Sequence, residues 1–368
     1  MAQTVRDDLI DFLRGLAICD MVLVHYARYG PRLLNKVVVY HDSALEGFLL
    51  CSGYSVGVYV RTVYLKSSGT ATRTLLTQAL RLVSVQYLLI VTASLPNWLV
   101  RESSTQGSEI VRFLARSVLF QNQIGLMHIL PLFVPLFLAS PILLALEKRW
   151  HFGPILVISA LLFVWGSERP IVYGDPAIFP VLLWQTYFVI GFGVGVWATR
   201  VAKTIPWSSH KTPFHAFGVL MLALAIRHLR VAPHLVEWKS LSASLGEFSR
   251  FPLNVTGLLY GCAVWFFVAA IASWAWSVIS EYSATKAVAL AGRYSLLVFF
   301  IHVLFLKYLE LFRLRLDDGN SYLAYSWFAA NCLATLLLLY WYESRGRSVA
   351  GGIFAWLFGK PKMPRMAP

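Results

Sequence analysis

The chain has 368 residues, of which 58% are hydrophobic and 14% charged, with a formal net charge of +14. A soluble domain carries about 25% charged residues, so an ordinary soluble surface is excluded. The basic excess is spread over short connections, with no zinc finger, phosphate-binding glycine loop or basic arm, which reads as a surface facing anionic lipid and excludes a nucleic-acid partner.

Apolar segments recur at 9–29, 43–65, 75–96, 118–146, 152–168, 178–199, 212–230, 252–279, 290–312 and 322–343. Most reach the ~20 residues needed to cross hydrocarbon. The expectation is an all-α, polytopic integral membrane protein with about ten transmembrane helices. Tryptophans such as Trp98, Trp150, Trp207 and Trp341 suit interfacial belts. An even number of spans puts both termini on one side. Lys and Arg favour the side of the termini by 17 to 14, which predicts both termini in the cytoplasm. Residues 1–346 read as the membrane-embedded domain and 347–368 as a basic cytoplasmic segment.

The first segment, DFLRGLAICDMVLVHYA, interrupts its apolar run with Asp11, Arg14 and His25. Ionisable groups inside a span need a functional or pairing reason. At 100° per residue Arg14 lies about 20° and Asp11 about 40° from His25, on opposite sides, so the three share one stripe. Arg14 sits roughly 16 Å along the axis from His25. Such a stripe fits a polar passage for catalysis or transport. An Asp11–Arg14 pair is the plainer reading of those two residues.

The second segment starts HDSALEGFLLCSGYSVG, on the side where the first ends. Glu46 reads equally as an acid–base partner for His25 or as a carboxylate stabilising the helix start. Ser52, Gly53 and Gly57 permit close helix packing. In the fourth segment QNQIGLMHILPLF places Gln121, Asn122, Gln123 and His128 toward the same outer region, with Pro131, Pro135 and Pro141 interrupting the helix. His128 reads as a packing or helix–helix residue before a catalytic one. The ninth segment carries Arg293, Ser295 and His302. Continuous helical spacing would put Ser295 on the face of His302 and Arg293 about 180° away. Interhelical packing is the plainer role of His302. Cys19, Cys51, Cys262 and Cys332 have no paired spacing and read as small apolar residues, and no metal site is expected.

Four stretches together resemble the OpgC family within the broader acyltransferase family 3 superfamily: DFLRGLAICDMVLVH at 11–25, EGFLLCSGY at 46–54, NQIGLMHILPLF at 122–133 and GRYSLLVFFIH at 292–302. The ten residues between Arg14 and His25 match the superfamily's first-helix arginine–histidine spacing. The resemblance implies a bacterial inner-membrane enzyme that transfers a succinyl group from succinyl-coenzyme A to osmoregulated periplasmic glucans. It implicates His25 and Arg14 in acyl transfer, and less directly Glu46 and His302. It implies no tightly bound cofactor; acyl-coenzyme A is a substrate. The sequence departs from the superfamily in the third segment, where Arg73 and Arg81 stand apart in place of a close arginine pair.

The local chemistry supports His25 and Glu46 as the catalytic candidates, with His25 the base that deprotonates a sugar hydroxyl. Arg14 is the candidate contact for coenzyme A. Asp11, Asn122, His128 and His302 are the supporting or substrate-binding candidates, Asn122 as an oxyanion donor. Two alternatives stay open: O-acetyl transfer to another polysaccharide or glycoside, and transport of an anionic metabolite or lipid-linked sugar along the same stripe. The sequence leaves the oligomeric state open.

Overall fold

The computed structural model describes residues 8–27, 43–100, 129–168, 181–201, 217–224, 253–316, 321–345 and 352–358. Among these residues the regular structure is helical: α1 (Asp8–Ala27), α2 (Ala44–Lys66), α3 (Ser68–Val100), α4 (Ile129–Trp150), α5 (Phe152–Glu168), α6 (Val181–Val201), α7 (Val255–Ile279), α8 (Ser283–Arg293), α9 (Ser295–Leu316), α10 (Ser321–Ser344) and α11 (Ile353–Phe358), with a further helical turn pair at 217–224. The chain is an all-helical membrane protein. Ten expected spans compare with five described helices that satisfy length and apolarity by themselves, α2, α3, α4, α6 and α7, or six when the bent pair α8–α9 counts as one crossing. The helix α5 is apolar but shorter.

Each helix has a local cause. Asp8 and Asp11 in the first turn of α1 and His25 in its last turn oppose the helix dipole correctly. The start of α2 is held by its neighbours: the Ser43 backbone N–H donates to Asp20 of α1 at 3.3 Å, and the Trp265 indole of α7 donates to the Ser43 carbonyl at 2.6 Å. A π-helical turn, Val56–Val60, interrupts α2. Pro135 and Pro141 lie inside α4 without ending it, as membrane helices tolerate. Asn254 caps α7 by accepting from the Gly257 N–H at 2.9 Å.

Glycines set the closest approaches. A Cβ on Gly53 would stand 1.9 Å from the Phe188 carbonyl oxygen, and one on Gly191 would stand 2.1 Å from that of Leu50. The backbones of α2 and α6 therefore touch along this seam, which a bilayer rewards through packing.

The expected ninth span, 290–312, is corrected by a break. The chain bends by 87° between α8 and α9, at Tyr294. Short, amphipathic α8 lies across α1, and α9 departs beside it. Helical angles cannot be carried through that corner, so the expected opposition of Arg293 and His302 has no geometric basis. Neighbours of α1 are α2, α7, α8, α9 and α10, which makes the charged first helix a central one. The short α11 returns to the bundle, where Phe358 packs on Phe300 and Phe354 on Tyr342.

Candidate active site

The stripe on α1 resolves into two levels, each closed by other helices. At the level of Asp11, the Arg14 guanidinium lies 3.5 Å from the Asp11 carboxylate and donates to Ser55 Oγ of α2 at 2.7 Å. The Ser55 hydroxyl in turn donates a hydrogen bond to the Cys51 carbonyl at 2.8 Å. The other oxygen of Asp11 is 3.5 Å from Arg293 of α8. Arg293 also meets Glu343 of α10 at 2.9 Å and Asp8 at 3.4 Å, and the Tyr294 hydroxyl donates to Glu343. Asp11 is buried and Arg14 partly so. The result is a lattice of alternating charges that ties α1, α8 and α10 together, with Arg14 at its edge toward α2. Pairing of this kind is what makes such groups tolerable in a low-dielectric setting.

Nearer the other end of α1, His25 and His302 of α9 face each other. Nδ1 of His25 is 2.8 Å from Nε2 of His302, with the ring planes within 9° of parallel and 5.1 Å between centroids, so the two imidazoles meet edge to edge. One proton must lie between those nitrogens, and one ring donates while the other accepts. Both are buried, His302 completely. Tyr26 packs its ring 5.7 Å from that of His302 and against Phe328. Behind His302 stands Asn331 of α10, with its amide nitrogen 3.4 Å from Nδ1, and Thr335 donates to the Asn331 amide oxygen at 3.3 Å. Asn331 is 1% exposed. The polar row therefore runs His25, His302, Asn331, Thr335, from one helix through a second into a third.

Glu46 is fully buried in α2, with its side chain against Gly261 of α7 beside the Tyr187 hydroxyl of α6. That hydroxyl donates to the Gly257 carbonyl at 2.9 Å. So small a residue at 261 is required, since a Cβ there would come within 2.7 Å of the Glu46 side chain. Asn122 and His128 lie outside the described residues. Of the other expected residues, the structure joins Asp11 to Arg14 and His25 to His302, at two separate levels.

Sequence reasoning passed over Asn331, Thr335, Ser55, Asp20 and the Asp11–Arg293 contact. Asn331 and Thr335 carried a signal: a lone amide in the apolar run AANCLATLLLL, with a hydroxyl four positions on and hence on the same face. The contacts of Ser55 with Arg14 and of Arg293 with Asp11 could be found only from the helix crossings.

A third buried carboxylate lies elsewhere. Glu147 of α4 is held by Arg61 of α2 at 3.3 Å and by Arg200 of α6, and Arg61 also donates to Thr199 at 2.9 Å. This cluster binds three helix ends together. Among the described residues no three His, Cys, Asp or Glu side chains gather as a metal site.

Comparison with known proteins places this chain in a family. The family model described as OpgC protein matches residues 6–348, a stretch that contains both levels of α1 and all of their partners. Neither the curated proteins nor the solved structures contain a match.

Proposed function

The chain belongs to the OpgC family, and we propose that it is a membrane-bound O-acyltransferase that moves a succinyl group from succinyl-coenzyme A to hydroxyls of a periplasmic glucan in the bacterial inner membrane. The observation that carries the reading is the buried imidazole pair, His25 against His302 at 2.8 Å, on a helix whose other half holds the partly buried Arg14.

In this reaction the sugar oxygen forms a bond to the thioester carbonyl carbon, and the carbon–sulfur bond breaks. His25 takes the hydroxyl proton as the oxygen attacks and returns it to the departing thiolate, so ester and free coenzyme A leave with no net proton change. The ring of His302 orients His25 and spreads the transient positive charge over two imidazoles. Arg14 offers a cation to a donor rich in phosphates, approaching from the cytoplasmic side, while the acceptor approaches from the periplasm. Glu46 supports the neighbouring face of the site from α2. The succinyl and glucan identities rest on the family, since a guanidinium does not tell a succinyl from an acetyl group by charge alone.

The test is purified protein in liposomes with labelled succinyl-coenzyme A and glucan. Label on the glucan, equimolar free coenzyme A and increased anion-exchange retention are expected, because each half-ester adds one negative charge near neutral pH. His25→Asn keeps an amide beside His302 and removes the base, and a rate loss of at least about 10²-fold is expected. Unmodified glucan crossing the bilayer, neutral acetyl esters in place of succinyl, or a folded H25N protein at wild-type rate would each overturn part of this reading.

A further inference from the structure

Resting on the acyl-transfer reading, we propose that Asn331, held by Thr335, is the positioning residue that decides which nitrogen of His25 carries the proton. Among the described residues, two contacts distinguish the nitrogens of His302: one faces His25 at 2.8 Å and the other faces the Asn331 amide at 3.4 Å. A neutral imidazole donates from one nitrogen and accepts at the other, so what Asn331 presents to Nδ1 fixes His302, and His302 in turn fixes His25.

Two states follow. With the Asn331 amide nitrogen toward His302, Nδ1 accepts, Nε2 donates to Nδ1 of His25, and His25 bears its proton at Nε2. With the amide turned over, its oxygen accepts from Nδ1–H of His302, Nε2 of His302 accepts from Nδ1–H of His25, and Nε2 of His25 becomes the accepting nitrogen. Oxygen and nitrogen of an amide occupy nearly the same positions, so both contacts survive the turn. Thr335 permits either state, because its hydroxyl donates to the amide oxygen in one and accepts from the amide nitrogen in the other. In the first state Nε2 of His25 already carries a proton and cannot act as a base. In the second Nε2 accepts the proton of the sugar hydroxyl, and the imidazolium so formed returns that proton to the thiolate. Transfer therefore starts from the second state and returns to it after each turnover. A leucine at 331 would satisfy packing in this buried position but would leave His302 without either instruction.

The experiment compares Asn331→Leu, Asn331→Asp and Thr335→Val in the full-length protein. N331L is expected to lower kcat on the order of 10²-fold, since a wrongly protonated base forfeits most of general-base catalysis, with acceptor KM within about twofold. N331D keeps an acceptor oxygen at the same place and should recover much of the lost kcat, and T335V should fall between N331L and wild type. Nitrogen-15 spectra of histidine-labelled protein give a readout independent of turnover: wild type should show His302 hydrogen-bonded at Nδ1, and N331L should release that signal, with His302→Gln providing the assignment. Full kcat in N331L, or N331D no faster than N331L, would overturn the proposal. So would identical imidazole spectra of wild type and N331L. If wild-type protein transfers no acyl group, the proposed function fails, while the spectra still decide whether Asn331 sets the proton.

Discussion

The crossing of α8 over α1 has no room for a single methyl group, and that sets the size of a measurable effect. A Cβ on Gly15 would stand 1.9 Å from the Val288 carbonyl oxygen, against the 3.4 Å at which ordinary contact begins. Backbone meets backbone here, so neither side can turn a rotamer away. In Gly15→Ala the helices must part by about 1.5 Å. Overpacking of this kind costs about 1–3 kcal/mol. The separation also stretches the Asp11–Arg293 contact from 3.5 Å to about 5 Å, which forfeits up to about 1 kcal/mol more. The reciprocal change, Gly292→Ala, puts a Cβ 1.8 Å from the Asp11 carbonyl oxygen and should cost as much. Because both residues report on one crossing, the double variant should lose less than the two singles added together. Gly69→Ala and Gly153→Ala serve as controls, since nothing lies within 4 Å of either new methyl; helix propensity predicts no loss there and a gain of up to about 1 kcal/mol. Unfolding of micelle-solubilised protein by added sodium dodecyl sulfate, followed by tryptophan fluorescence, measures all five variants. A G15A protein as stable as wild type, or full additivity in the double, would refute the claim that the backbones are in contact.

Two further perturbations separate structural from substrate roles. Glu147→Leu removes the carboxylate shared by Arg61 and Arg200 and should cost about 3 kcal/mol, the lower end for breaking a buried pair, because Arg200 is 39% exposed and keeps access to solvent; the same denaturant titration checks it, and an unchanged midpoint refutes it. Arg14→Lys keeps one charge but cannot serve Asp11 and Ser55 with the same fork; if the guanidinium also meets the donor, the acyl-coenzyme A KM rises about tenfold with acceptor KM unchanged. Unchanged donor KM with lowered stability would confine Arg14 to joining α1 and α2.

Legibility of the molecule in its sequence depended on whether a local period sufficed. Helical class, the membrane setting and the limits of α1, α2, α5 and α7 follow from runs of apolar residues, which obey a one-dimensional rule. The stripe of Asp11, Arg14 and His25 was legible for the same reason, since all three lie on one unbroken helix. The ninth segment was not, because angles were carried across Tyr294, where the chain turns by 87°. No hydropathy signal marks that corner: Arg293-Tyr294-Ser295 continues an amphipathic helix into an apolar one. The partner of His25 was within reach as a residue but not as a contact, since 277 positions separate His25 from His302. Asp20 escaped notice because its partner is a backbone N–H, which every sequence position offers equally.

The polar residues of α1 share one property that a simple anchor would lack. Asp11 is met by Arg293 of α8, Arg14 by Ser55 of α2, Asp20 by the backbone at the start of α2, and His25 by His302 of α9. An isolated helix carrying these groups would expose each of them to lipid at a cost of several kcal/mol. Packing with apolar neighbours alone would not relieve that cost, because lipid tails are as apolar as leucine. Each polar group therefore specifies one neighbour, and the apolar surface between them serves any of several registers. The bent pair α8–α9 supplies two of these contacts, gripping α1 at Asp11 with one arm and at His25 with the other. Its corner at Tyr294 makes this possible: a straight helix through 283–316 would lie along α1 or cross it once. By this reasoning the charges that make α1 a poor anchor are the features that assemble the site, and the imidazole pair stands where it does because the charged lattice below it holds the corner in place.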